Sequence, residues 1–134
     1  NDWLNKRLNR TEFMPFAPFV RNVDYLDYFK IPGDTHPFRF MTITCDVTEK
    51  CSDTAPAITH VDKTARPQIV FREDNPSYYD LLTEYKAISG VGVLVNTSFN
   101  MHEEPIVNTP SEAIDTFINS GLDILAIGNY IVER

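Results

Sequence analysis

"PQIVFREDNPSYYDLLTEYKAISGVGVLVN" (residues 67–96) decides the fold. It opens on "PQIVF", a short apolar run rich in β-branched residues that reads as a strand. A helix is expected from about Pro76 to Ser89. Asn75 suits its cap, Pro76 its first position and Gly90 its end, while Leu81, Leu82, Tyr85 and Ile88 make a helical stripe. "GVLVN" then reads as an apolar strand of the kind buried on both faces. Strand, helix, strand points to α/β architecture.

The flanking sequence extends this pattern. A second helix is expected where Thr109, Pro110, Ser111 and Glu112 form a capping box, and it stops at Gly121. "LDILAI" and "YIVER" read as strands joined at Gly128 and Asn129, which suit a tight hairpin. Toward the N-terminus, residues 2–9 read as a short helix with Leu4 and Leu8 on one face, and Pro15 and Pro18 keep "EFMPFAPFV" extended. "NVDYLDYFK" reads as a brief amphipathic helix ended by Pro32 and Gly33. "FRFMTITCDV" and "AITHV" read as strands, and residues 48–56 as a loop. The expectation is one domain over residues 1–134, a mixed twisted sheet with helices packed on it. Ligands of such sheets collect at strand exits, so the polar residues after "AITHV" and after "GVLVN" are expected to face one crevice.

Composition narrows the function. With 134 residues, 43% of them hydrophobic, the chain is large enough to build a core. A net charge of -7 and a pI near 4.8 exclude non-specific binding to nucleic acid or an anionic membrane, so an anionic ligand needs a local arginine pocket. Two cysteines, Cys45 and Cys51, make neither a disulfide framework nor a zinc set, which fits a reducing cytoplasm. No apolar run nears the roughly 20 residues of a membrane span, and no signal peptide is evident. The opening "NDWLNKRLNR" lacks a methionine and reads as a cut inside a longer polypeptide.

Two polar strings stand out. In "NTSFN", Asn96, Ser98 and Asn100 present three uncharged groups on one side of an extended segment, suited to a carbamoyl group, a phosphate or a ribose; the same residues equally make a turn that satisfies its own backbone. In "HVDKTARPQIV", Pro67 keeps Arg66 extended, with a guanidinium fork matched to phosphate or carboxylate unless a neighbouring carboxylate claims it. His60 and Asp62 share a face of their strand, so Asp62 orients His60, both ligate a metal, or His60 is simply satisfied at the strand end. Lys6, Arg7 and Arg10 form the one basic cluster. Glu103 and Glu104 are adjacent and point apart, unlike a paired acid and base, and no P-loop or dinucleotide glycine motif is present.

Four segments in order, "LNRTEFMPFAP", "ITHVDKTARPQIV", "VLVNTSFNMHEEPIV" and "TPSEAIDTFINSGLDILAIGNYIV", resemble the C-terminal domain of the NodU/CmcH-type O-carbamoyltransferases over nearly the whole chain. The resemblance implies a YrdC-like α/β domain that binds ATP, with its Mg²⁺, and carbamoyl phosphate, and forms carbamoyladenylate with release of pyrophosphate. It further implies an actin-like N-terminal domain, absent from this chain, that holds an iron-type metal and passes the carbamoyl group to an acceptor hydroxyl. Carried onto this sequence, Arg66 of the "TARPQ" run meets phosphate or carboxyl oxygens during adenylation, and Thr64 and His60 are expected among the substrate- or nucleotide-binding residues. Ser98 and Asn100 match the family's Ser-x-Asn pair beside Asn96, and Arg10 matches the arginine of its Lys-x-Arg element. Leu8 and Met14 stand where relatives carry cations, so Lys6 or Arg7 substitutes for them, or the domain has become a binding or assembly module without activation chemistry.

Overall fold

The computed structural model describes Asn5, Lys6 and residues 16–134, and among them the fold is α/β. Residues 16–96 form one compact unit, and residues 97–134 with Asn5 and Lys6 another. In the first, the extended run around Pro18 is strand β1 (Ala17–Arg21). It is central in a three-stranded sheet, parallel to β5 (Gln68–Val70) and antiparallel to β6 (Val93–Asn96). Pro18 is tolerated in a central strand because pairing with β5 begins only at Phe19, so its missing N–H falls where β1 has one neighbour. The sheet is therefore mixed, as expected.

Side chains alternate across it. Val20, Ile69 and Val93 enter the larger core with Tyr28, Phe29, Phe38, Val47, Ile58 and Ala65, while Phe19 and Val70 face Leu82 of helix α3 (Pro76–Ser89). A second, antiparallel sheet of β2 (Phe29–Lys30), β3 (Cys45–Val47) and β4 (Thr64–Ala65) lines the same larger core. Helix α1 (Tyr25–Tyr28) precedes β2, and α2 (Glu49–Thr54) follows β3. The other unit carries α4 (Pro110–Ser120) and the hairpin of β7 (Ile124–Ile127) and β8 (Tyr130–Glu133), turned at Gly128 with φ of +57°.

Helix α3 begins and ends where its caps predict: Asn75 Oδ1 accepts from the Tyr78 N–H at 3.1 Å, and Gly90 is left-handed. The capping box of α4 also forms. Elsewhere the structure corrects the reading. "FRFMTITCDV" is not one strand: His36–Phe40 is a 3₁₀ turn with Pro37 in its first turn, and only Cys45–Val47 pairs. "AITHV" is not a strand either, because Pro56 starts a second 3₁₀ turn over Pro56–Ile58. The expected loop at residues 48–56 contains α2, capped by the Thr48 hydroxyl accepting from the Cys51 N–H at 3.1 Å. "NVDYLDYFK" is helical only over Tyr25–Tyr28, because Phe29 turns extended and joins β2. β6 is not buried on both faces: of Val93–Asn96 only Val93 is fully covered. Of the α3 stripe, Leu82 alone is buried. The helix expected at residues 2–9 lies outside the described residues apart from Asn5 and Lys6.

Asp24, buried in the turn after β1, joins these elements. Its carboxylate accepts from Arg21 Nε and from Lys86 Nζ of α3, each at 2.6 Å, and Arg21 Nη1 donates to Thr83 Oγ1 at 2.7 Å. Gly92, at the entry to β6, donates its N–H to the Tyr28 hydroxyl at 2.7 Å. A Cβ at Gly92 would stand 3.1 Å from Lys86 Cδ and 3.5 Å from Asp24 Oδ2, which explains a side-chain-free residue there. Burial pushes the Asp24 carboxyl up, but the hydrogen bonds and charges of Arg21 and Lys86 outweigh it and hold the group below its ordinary value. A depressed carboxylate contributes stability above its unfolded pKa and loses it as pH falls through the folded one. Asp24→Ala is expected to cost about 3–5 kcal/mol in urea unfolding, since two partly buried cations lose their partner; a cost under about 0.5 kcal/mol would contradict the clamp. Asp24→Asn should show a shallower loss of stability than wild type as pH falls below the ordinary carboxylate range.

Candidate functional site

The segment from His60 to Thr64 forms a tight turn closed by the His60 N–H to Thr64 O at 2.8 Å and the Lys63 N–H to His60 O at 3.0 Å, with Lys63 left-handed at φ of +67°. Asp62 Oδ1 accepts from both the Thr64 N–H at 3.0 Å and the Thr64 hydroxyl at 2.7 Å. His60 Nδ1 stands 3.0 Å from the same hydroxyl. A hydroxyl has one proton, and Thr64 gives it to Asp62. Its oxygen can then only accept from His60, which puts the imidazole proton on Nδ1 and leaves Nε2 as the lone-pair nitrogen. Asp62 therefore orients His60 through Thr64, within a turn and not along a strand face. The Thr64 hydroxyl first, then its N–H, holds the Asp62 carboxyl below its usual value.

Arg66 follows, exposed between buried Ala65 and Pro67. The other arginines of this unit are engaged. Arg21 is bound to Asp24, Arg39 pairs with Asp74 and lies 4.5 Å over the Phe71 ring, and Arg72 pairs with Asp80 at 2.7 Å. Arg66 has no ion-pair or hydrogen-bond partner among the described residues, so no neighbouring carboxylate there claims its fork.

The "NTSFN" residues divide by task. Asn96 ends β6, and its Nδ2 donates to Gln68 Oε1 on β5 at 2.7 Å. Ala17 and Phe19 of β1 are the register partners of Asn96 and Gln68, so the amide bridge spans the sheet on one face. Gln68 is the site neighbour that sequence reading missed; the "TARPQ" string contains it, but the strand register alone reveals its partner. Asn100 Nδ2 donates to Met101 O at 2.8 Å and Glu104 O at 2.9 Å, bracing a loop in which Glu103 is left-handed at φ of +67°. Ser98 is exposed and Asn100 half-buried. Lys6 is exposed, and Arg10 lies outside the described residues.

Beyond Asn100, a cavity of about 480 Å³ opens between the segment from Glu104 to Asn108 and α4, lined also by Glu112, Asp115, Thr116 and Asn119. The N–H groups of Asn108 and Thr109 hold the Glu112 carboxyl below its usual value, so the wall is anionic and unsuited to a triphosphate. Cys45 and Cys51 are free thiols. Burial first, then the charges of Asp46 and Cys51, pushes Cys45 up to about 12, and burial raises Cys51, so neither offers a thiolate. No cluster of three or more His, Cys, Asp or Glu able to hold a metal occurs among the described residues. None of their helices is long and apolar enough to cross a membrane.

The tautomer is directly testable. Long-range ¹⁵N–¹H correlation spectra should show neutral His60 protonated on Nδ1, with Thr64→Val erasing the preference; an Nε2–H tautomer in wild type would contradict the relay.

Comparison with known proteins now adds to the geometry. The carbamoyltransferase C-terminus family matches residues 1–134. The nodulation protein NolO of Bradyrhizobium diazoefficiens is 40% identical over 125 residues, covering 93% of this chain and 23% of its own. NolNO of Sinorhizobium fredii is 37% identical over 134 residues, covering 99% of this chain and 20% of its own. The 3'-hydroxymethylcephem-O-carbamoyltransferase of Amycolatopsis lactamdurans is 32% identical over 133 residues, covering 99% and 25%. The chain thus spans about a quarter or less of the length of these relatives.

Proposed function

Because this chain belongs to the carbamoyltransferase C-terminus family, we propose that it is the carbamoyl-activating part of an O-carbamoyltransferase. In this reading it takes carbamoyl phosphate, water and the Mg²⁺ complex of ATP as substrates. Water cleaves carbamoyl phosphate to carbamate and one phosphate, and a carbamate oxygen then attacks the α-phosphorus, so that one pyrophosphate leaves for each carbamoyladenylate formed. Transfer to an acceptor hydroxyl belongs to the rest of the polypeptide, the proposed N-terminal partner domain, where any iron-type metal also belongs. Two free thiols, Cys51 buried and Cys45 half-buried, fit the proposed cytoplasmic setting.

Arg66 is the observation that carries this reading. A planar, always-charged fork left exposed and without a partner among the described residues, in a chain of net charge -7, is suited to bidentate phosphate or carboxylate oxygens. Charge builds on phosphorus during adenylation, and a fixed cation stabilises it without reorganising. His60, held by Thr64 and Asp62, offers Nε2 as an acceptor or, once protonated, a donor to the same class of ligand. Ser98 and Asn100 are the proposed nucleotide or carbamoyl contacts, whereas Asn96 acts through Gln68 on the sheet. Arg10 and Lys6 are the proposed N-terminal cations.

A second reading, a binding or assembly module without activation chemistry, is favoured by Leu8 and Met14 at positions where cations are expected and by the Asn96 amide being spent on the sheet. Titration calorimetry with ATP and with carbamoyl phosphate separates the two. Binding that weakens by about 2–5 kcal/mol in Arg66→Ala is expected for activation. A loss below about 0.5 kcal/mol, the range of an exposed surface charge, or no binding to either compound, would favour the module.

A further inference from the structure

Helix α3 has an apolar stripe beyond the one it packs. Its inward face is Tyr79, Leu82, Thr83 and Lys86, which meet the sheet and the Asp24 clamp. A separate set, Tyr78, Leu81, Tyr85 and Ile88, recurs at spacings of three, four and three, which lines these residues up along one side of a helix. They are 40%, 52%, 38% and 87% exposed. Singly exposed apolar residues need no explanation, but a continuous row on one rigid element marks a contact surface. The element is rigid: Asn75 and Gly90 fix its ends, Lys86 ties it to Asp24, and the Tyr78 ring leans on Phe19 at 5.3 Å.

We propose that this stripe seats the remainder of the carbamoyltransferase polypeptide, through an apolar face that also presents a basic group to Glu84. The occupant follows from length and charge. Relatives that this chain matches over 93–99% of its length are four to five times longer, because the match covers only 20–25% of them, so most of such a polypeptide lies outside these residues and needs a surface to meet. On an ideal helix Glu84 borders the stripe on the side away from the sheet. A second copy packed antiparallel about the centre of the stripe would set two Glu84 carboxylates side by side, a like-charge contact that disfavours self-pairing. A partner with a lysine or arginine there removes that penalty.

The inference does not depend on activation chemistry, and its test reads protection, not turnover. In hydroxyl-radical footprinting of the full-length polypeptide, Leu81, Tyr85 and Ile88 should lose most of their intrinsic reactivity, with fully exposed Val61 as reference. Leu81→Glu combined with Ile88→Glu should restore labelling of Tyr85 while the helical circular dichroism signal stays. Should that variant fail to fold, the wild-type footprint decides alone. Leu81 and Ile88 reacting as readily as Val61 would overturn the proposal. Protection that appears only as the protein sediments as a dimer would also overturn it, by making a second copy the occupant.

Discussion

The unit of residues 16–96 depends on one buried carboxylate. Asp24 sits where β1 ends, and its two oxygens are taken by Arg21 from the strand and Lys86 from α3. Nothing else on the helix is held so firmly, since Leu82 is its one fully buried residue. An apolar contact alone would leave α3 free to rotate or slide, because hydrophobic attraction has no direction. Two charge-assisted bonds, Lys86 to Asp24 and Arg21 to Thr83, fix its rotation about its axis, and that rotation decides which side chains pack and which remain outside. Gly92 lies close against Lys86 and Asp24 at the entry to β6, and β6, paired with β1, delivers Asn96 to Gln68.

Charge is distributed with the same economy. The chain is acidic, yet its carboxylates neutralise particular cations: Asp74 takes Arg39, Asp80 takes Arg72, and Asp27 takes Lys50 at 2.8 Å. These exposed pairs add little stability individually, but they leave Arg66 as an arginine without a partner among the described residues. Beside it, the relay from Asp62 through Thr64 spends an aspartate on a hydroxyl instead of a guanidinium. The polar crowd ahead of β5 is therefore divided between groups that hold one another and one exposed cation without a partner among the described residues.

The sequence made visible what is determined locally. Asn75, Gly90, Thr109, Glu112 and Gly121 placed both long helices because caps act within a turn of their own backbone. The errors fall where a short-range signal was present but overruled by alternation: Pro37 and Pro56 each open a 3₁₀ turn inside a run that looked like a strand, and Thr48 caps a helix inside a run that looked like a loop. In the turn before β4, the grouping of His60, Asp62 and Thr64 was legible because all lie within five residues. Their hydrogen-bond order was not, since it depends on a left-handed Lys63. The engagement of Asn96 with Gln68 was hidden altogether, because it requires the register of two strands on either side of a third.

Carbamoyl activation at Arg66 is tested most directly by exchange of labelled pyrophosphate into ATP, measured on the full-length polypeptide. Exchange that requires carbamoyl phosphate and falls roughly thirtyfold or more in Arg66→Ala, the factor that about 2 kcal/mol implies, is the expected result. Exchange that is absent from wild type, or proceeds unchanged without the guanidinium, would contradict it.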